Sequence, residues 1–202
     1  AKEEAINTIL EMAEYKTMGK CKKLIVTGCL SERYAKEIEE ALPEVDAIIG
    51  IGGYDRICEA IQADSKEKYV YTEKNYSIEY LNSDRILTTP AGSAYLKVAE
   101  GCDNKCAYCA IPSIRGPFRS RNIDDLINEA FSLAEQGIKE IVVVAQDTTR
   151  YGKDLSDNGE PLLGTLLRRL NEIEKIEWIR LLYLYPDEIT EDVFSALSEC
   201  KK

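Results

Sequence analysis

The sequence predicts an α/β protein: a truncated, doubly wound N-terminal α/β domain followed by the first three βα units of a partial (β/α) barrel. Three observations carry this. Helical and strand periods alternate from Ala1 to about Ala63, a second alternating series runs from about Tyr95 to the end, and residues 65–93 between them keep neither period.

In the first series Ile6, Ile9, Leu10 and Ala13 recur at helical spacing, which predicts a helix over 3–17 ended by Gly19. Residues 24–27 form a β-branched run stopped by Gly28, and Ser31 with Glu32 in the first turn opens a helix that runs to Ala41 before Pro43. A second strand is expected over 47–50 and a third helix over 54–63. Because a helix precedes the first strand, the N-terminal edge of this layer is expected to be missing. Residues 69–72, aromatic and β-branched, predict an extended, hairpin-like segment, and 81–93 with Pro90 and Gly92 a linker. The expected domains are therefore 1–80 and 94–202, joined by 81–93.

The second series predicts a strand over 95–99, a helix over 123–136 capped by Asn122 and stopped by Gly137, and a strand over 140–145. A helix over 162–172, a strand over 178–184 and a helix over 191–199 follow. In such units the reactive groups sit on the loops after the strands. Residues 147–161, rich in Gly, Asp and Asn, are long enough for a lid or a disordered turn.

Composition narrows the function. With 45% hydrophobic and 31% charged residues, no membrane-length apolar stretch and no charged-then-apolar leader, the chain predicts neither a membrane span nor export, and a cytoplasmic location. Twenty-six Lys and Arg against 36 Asp and Glu leave a net charge of −10, which argues against an extended nucleic-acid surface and fits a basic protein partner. There is no histidine, the commonest acid/base and metal ligand, but there are seven cysteines. An odd number of them points to metal or redox chemistry rather than a disulfide framework. The chain starts at Ala1 rather than Met and stops at Lys202 within a helical pattern, and a fragment is expected.

Cys102, Cys106 and Cys109 lie at C-x3-C-x2-C spacing directly after the first strand of the second series. Thiolates are soft ligands that select zinc, copper or iron-sulfur clusters. A structural zinc or a ferredoxin-type cluster wants a fourth ligand, yet the next cysteine is Cys200 and histidine is absent. Three thiolates on a four-iron cubane leave one iron open to a substrate or cofactor. Lys105, Arg115, Arg119 and Arg121 surround the motif without an acid between Asn104 and Arg121, which makes either a positive patch beside the site or a solvated loop.

The string from Tyr95 through Cys102, Cys106, Tyr108 and Cys109 to Arg121, together with 144–152 and 178–186, resembles the radical S-adenosylmethionine (SAM) methylthiotransferases over essentially the whole chain. Ala145-Gln146-Asp147 fits the branch that modifies an aspartate of a ribosomal protein better than the tRNA-adenosine branch, where Gly-Gln-Asn is expected. The resemblance implies a radical SAM partial barrel and a 4Fe-4S cluster on Cys102, Cys106 and Cys109. It further implies SAM chelated by the open iron and cleaved to a 5′-deoxyadenosyl radical, with Tyr108 beside the adenine. Gln146 and Asp147 stand where many relatives carry Gly-Gly-Glu to accept hydrogen bonds from the SAM ammonium; each is otherwise a solvated loop end. Cys29, at a strand-to-helix turn where a helix N-terminus favours thiolate, matches the third ligand of an auxiliary 4Fe-4S cluster whose first two ligands would precede Ala1. Cys21, Cys58 and Cys200 lack that context.

The implied activity is transfer of a methylthio group to the β-carbon of an aspartate in the twelfth protein of the small ribosomal subunit, with a flavodoxin- or ferredoxin-type electron donor. Without its full auxiliary site, this chain alone is expected to be inactive in full turnover. The alternatives are the tRNA-modifying branch and a non-catalytic iron-sulfur or zinc module.

Overall fold

Apolar residues at helical spacing form the first element of the computed structural model, α1 (Lys2–Met18), which turns Ile9 and Ala13 inward. The structure describes residues 2–64, 67–72, 77–83, 85–88 and 92–202. Two units form: Ala1–Tyr80 with Ser113–Arg115, and Leu81–Pro112 with Gly116–Lys202.

In the first unit, β1 (Ile25–Thr27) leads into α2 (Cys29–Ala41), then β2 (Ala47–Ile49), a 3-10 turn (Ile51–Arg56), α3 (Ile57–Gln62) and β3 (Tyr69–Tyr71). The sheet is parallel in the order β1-β2-β3, with Val26 opposite Ile48 and Ile48 opposite Val70. Side chains alternate across a strand, so the two faces are covered separately. Ile9 of α1 and Ile38 of α2 pack with Val26 and Ile48, while Ala60 of α3 packs with Ala47 and Ile49 on the opposite face. This is the expected doubly wound layer.

Two readings are corrected here. The segment expected to be hairpin-like is the third parallel strand, because Tyr69 N–H donates to Asp46 O at 3.0 Å and Gly50 N–H to Tyr71 O at 2.7 Å. Composition recognised an extended segment, but its partner is set by the crossover. Helix α2 also begins at Cys29, two residues before Ser31, since Gly28 at φ 103° turns the chain directly out of β1.

The second unit contains β4 (Ser93–Lys97), β5 (Ala99–Glu100), α4 (Ile111–Arg115, divided between the two units), β6 (Arg119–Ser120), α5 (Ile123–Glu135) and β7 (Glu140–Val144). It continues with α6 (Leu163–Asn171), β8 (Trp178–Leu181) and α7 (Glu191–Glu199). Strands β4-β7-β8 are parallel in that order, with Leu96 opposite Val143 and Val143 opposite Leu181. These residues share one core with Leu126, Ala130 and Leu133 of α5, Leu166 and Leu170 of α6, and Val193 and Ala196 of α7. The alternate residues Tyr95 and Trp178 are exposed, as on the inner face of a partly built barrel. Helix α5 starts where expected because Asn122 Oδ1 accepts the Asp124 N–H at 2.8 Å and Asp124 and Asp125 occupy its positive end.

Part of the segment read as a linker lies against this unit. Asn82 Nδ2 donates to Asp125 Oδ2 at 2.9 Å, Arg85 Nε lies 3.4 Å from Glu129 Oε1, and Leu87 packs on the core. Pro90 of that segment, and 65–66 and 73–76 before it, lie outside the described residues.

The first half of the segment 147–161, expected as a lid or a disordered turn, is tied into the second unit. Tyr151 is fully buried and donates its hydroxyl to Arg121 O at 3.0 Å, Gly152 N–H donates to Ser120 Oγ at 2.8 Å, and Ser120 N–H to Asp154 Oδ2 at 2.8 Å. At its start a 3-10 turn (Thr148–Arg150) ties β7 to the chain after β8. Thr148 Oγ1 donates to Leu182 O at 2.7 Å and accepts Ala145 N–H at 3.1 Å, and Thr149 Oγ1 accepts Tyr185 N–H at 2.8 Å. Thr149 in turn donates to Asp147 Oδ1 at 2.8 Å, and Asp147 Oδ2 accepts Asn104 Nδ2 at 3.0 Å with Arg150 Nε at 3.3 Å.

Three stability outcomes are expected in urea unfolding. Leu166→Ala removes a side chain with no solvent exposure from the centre of the second unit's core and should cost about 2–5 kcal/mol, whereas Leu10→Ala on the exposed side of α1 should stay within about 0.5 kcal/mol. Asp147→Ala strands the donors of Asn104 and Thr149 and should cost about 3 kcal/mol.

Candidate metal centre

The cysteines sit on a loop closed at its base by short antiparallel pairing. Ala99 faces Ser120 and Glu100 faces Arg119, while Cys102 N–H donates to Gly116 O at 3.1 Å. That approach requires glycine at 101. Gly101 has φ 81°, and a Cβ there would collide with the carbonyl of Pro117. Glu100, fully buried, accepts Gly101 N–H at 3.0 Å and pairs with Lys97. Within the loop Cys109 N–H donates to Cys106 O at 3.0 Å, a turn that brings the last two cysteines round, and Asp103 Oδ1 accepts Phe118 N–H at 3.0 Å.

Cys102, Cys106 and Cys109 line one cavity of about 380 Å³ at the C-terminal ends of β4, β7 and β8, together with Asn104, Tyr108, Ile111, Ala145, Gln146, Tyr183 and Tyr185. Burial pushes the Cys102 thiol up; the Asn104 backbone N–H opposes this, and the Asp147 carboxylate and Cys109 reinforce it. Such a thiol keeps its proton until a metal cation displaces it. The Tyr185 hydroxyl lies 3.5 Å from Cys106 Sγ, and that hydrogen bond is the main cause of a phenol pushed up to about 12.

The expected site residues fall into distinct places. Tyr108 is 93% exposed at the cavity rim, which removes the alternative of a core tyrosine. Gln146 lines the cavity, and its buried Oε1 has no hydrogen-bond partner among the described residues. Asp147 is fully buried, so the solvated loop end is corrected: both its oxygens are engaged inside the protein by Asn104 and Thr149, and it holds the cysteine loop from behind. Cys29, in the other unit, is exposed on the first turn of α2. Cys58 is exposed, Cys21 Sγ contacts Lys23 O at 3.3 Å, and Cys200 packs on the second unit's core, which raises its thiol through burial.

The basic residues near the motif do not act as one group. Arg121 is 3% exposed, pairs with Glu129 at 2.6 Å, and donates to Lys97 O at 3.0 Å and Asn82 Oδ1 at 2.9 Å. It belongs instead to a second, polar cavity of about 420 Å³ beside α5, where its charge and that of Arg85 are met by Glu129. Asn104, Tyr183 and Tyr185 were not singled out from the sequence. Their place after the strands was the available clue, but their convergence depends on the Thr149 and Asp147 contacts between segments far apart in sequence.

The donor set fits a polynuclear cluster. Among the described residues no group of three His, Cys, Asp or Glu side chains closes round a point that could hold one metal ion. A cubane needs no such point, because each thiolate takes a different iron. The unpartnered Gln146 oxygen adds an acceptor for a cationic ligand on the same wall.

Comparisons with known proteins agree with this geometry. The model of the uncharacterized protein family UPF0004 matches residues 1–50. The chain is 52% identical to a ribosomal protein uS12 methylthiotransferase RimO of Acetivibrio thermocellus, covering all of this chain and 46% of the relative, and 52% identical to the RimO of Clostridium tetani, covering all of this chain and 45% of the relative. It thus spans about half the length of these curated relatives. Among solved structures, the radical S-adenosylmethionine methyltransferase TsrM of Kitasatospora setae, with tryptophan and a SAM analogue bound, shares the fold at a TM-score of 0.62 over 96% of this chain and 42% of its own, with 16% identity. The model of the radical SAM superfamily matches residues 96–201, more than half of the sequence and all three cysteines of the loop, and the chain belongs to that superfamily.

Proposed function

We propose that this chain is the cluster-bearing part of a ribosomal-protein aspartate methylthiotransferase, acting on the β-carbon of an aspartate in protein uS12. The observation that carries the reading is the three-thiol loop, without a fourth ligand, facing an unpartnered buried acceptor across one cavity. The curated relatives named as uS12 methylthiotransferases support the substrate.

In this reading residues 1–80 are the methylthiotransferase N-terminal domain, 81–93 the connection and 94–202 the radical SAM half-barrel. Cys102, Cys106 and Cys109 hold a 4Fe-4S cluster, and Cys29 is one ligand of an auxiliary cluster. The bound cluster supplies the electron that cleaves the sulfonium carbon–sulfur bond of SAM. The chain's own residues bind and place. Gln146 Oε1 accepts from the SAM ammonium, Tyr108 covers the adenine, and the tyrosines of the rim limit access of water. Asp147 acts on SAM only through Asn104 and the cysteine loop. The electron donor is a small flavodoxin- or ferredoxin-type protein, the setting is the cytoplasm, and the net charge of −10 suits a basic protein substrate rather than nucleic acid. No helix among the described residues is long and apolar enough to cross a membrane.

Anaerobic reconstitution of the chain should give about four irons and four sulfides, and Ala at Cys102, Cys106 or Cys109 should remove them. Zinc without sulfide would overturn the reading. Saturating SAM should shift the magnetic resonance spectrum of the reduced cluster. Gln146→Ala should weaken SAM binding roughly tenfold through loss of one charge-assisted hydrogen bond with iron content unchanged; full-strength binding by that variant would remove Gln146 from the site.

A further inference from the structure

The reading above gives the Tyr185 ring a place on the rim but its hydroxyl no role, although that hydroxyl lies 3.5 Å from Cys106 Sγ. Its position is built rather than incidental. The Tyr185 N–H donates to Thr149 Oγ1 at 2.8 Å, Thr149 donates to the fully buried Asp147 at 2.8 Å, and the same carboxylate accepts Asn104 of the cysteine loop at 3.0 Å. One buried acid therefore locates both the phenol and the loop that carries the thiol. Two residues earlier Tyr183 takes φ 60°, unusual for a residue with a Cβ, while its carbonyl accepts Thr148 N–H at 3.0 Å. This strained turn, held by the 3-10 turn after β7, brings Tyr185 back over the cavity.

We propose that Tyr185 is a positioning residue that tunes the reduction potential of the cluster through a hydrogen bond to the Cys106 thiolate. The proposal rests on Cys106 being a cluster ligand. Either atom can donate between a phenol and a thiol, but a metal-bound thiolate has no proton, so the phenol must be the donor. A donor to a ligating sulfur withdraws negative charge and stabilises the reduced, more negative state. A radical SAM site needs an electron delivered at low potential, so this bond sets how readily the cluster accepts it.

The test compares wild-type chain, Tyr185→Phe and Tyr15→Phe, the last on the exposed side of α1 and away from the cavity, after anaerobic reconstitution, with iron and sulfide counted and the midpoint potential read by redox titration followed spectroscopically. Phenylalanine keeps the ring and the backbone N–H to Thr149 and removes only the donor. The expected result is full iron content in all three chains. Reduction of Tyr185→Phe should become about tenfold less favourable, a shift of ~59 mV to more negative potential for one electron, while Tyr15→Phe titrates with wild type. An unshifted Tyr185→Phe with wild-type iron overturns the tuning role and leaves the cluster assignment intact. Loss of iron by Tyr185→Phe alone also overturns it, since the phenol would then hold the loop. A wild-type chain without iron and sulfide overturns both readings.

Discussion

The buried carboxylate of Asp147 is the point on which the site depends. It has no solvent exposure, and each oxygen is committed: one to Thr149, the other to Asn104 with Arg150 alongside. Removing such a charge from water is costly unless its hydrogen-bonding capacity is met, so the geometry tolerates little drift. Its partners lie on the loop after β5, the turn after β7 and, through Thr149, the chain after β8. Three segments, one after the antiparallel β5 and two after the parallel β7 and β8, are thereby held in one arrangement. Arg150 extends the tie by donating to Glu188 at 2.8 Å.

Around this anchor the cavity divides its work between soft and hard groups. Cys102 is buried and Cys106 and Cys109 are half-buried; the Arg150 charge favours the Cys102 thiolate but is outweighed by burial, and Arg121 is paired with Glu129. The aromatic rim, Tyr108, Tyr183 and Tyr185, offers flat apolar surface with polar tips, suited to a ligand with an aromatic part and a charged part. The Gln146 oxygen offers the one buried acceptor there without a partner among the described residues. The titratable groups on its walls are thiols and phenols, since the sequence has no histidine.

The same physics explains where the linear reading went astray. Tyr69, Val70 and Tyr71 identified themselves as extended by β-branching and aromaticity, yet nothing local distinguishes a hairpin arm from a third parallel strand; the α3 crossover decides it. The Gly- and Asp-rich stretch after β7 has the composition of a mobile loop. It is ordered because Tyr151 is swallowed whole by the core and Asp154 and Gly152 bond back to Ser120. Arg121, expected in a positive patch beside the site or in a solvated loop, is buried against Glu129.

By itself the sequence determined the alternation of helices and strands, the caps of α5, and the chemistry of the centre: three thiolates at fixed spacing, no histidine, and no nearby fourth cysteine. These are local properties, set by residue type, period and short spacing. Only the tertiary structure decided that Asp147 faces inward while Gln146 faces the cavity, that Tyr185 reaches Cys106, and that Arg121 is spent on Glu129. Adjacent residues at a strand end diverge by side-chain direction, and contacts across tens of residues depend on which strands become neighbours; both are consequences of packing that no local pattern encodes.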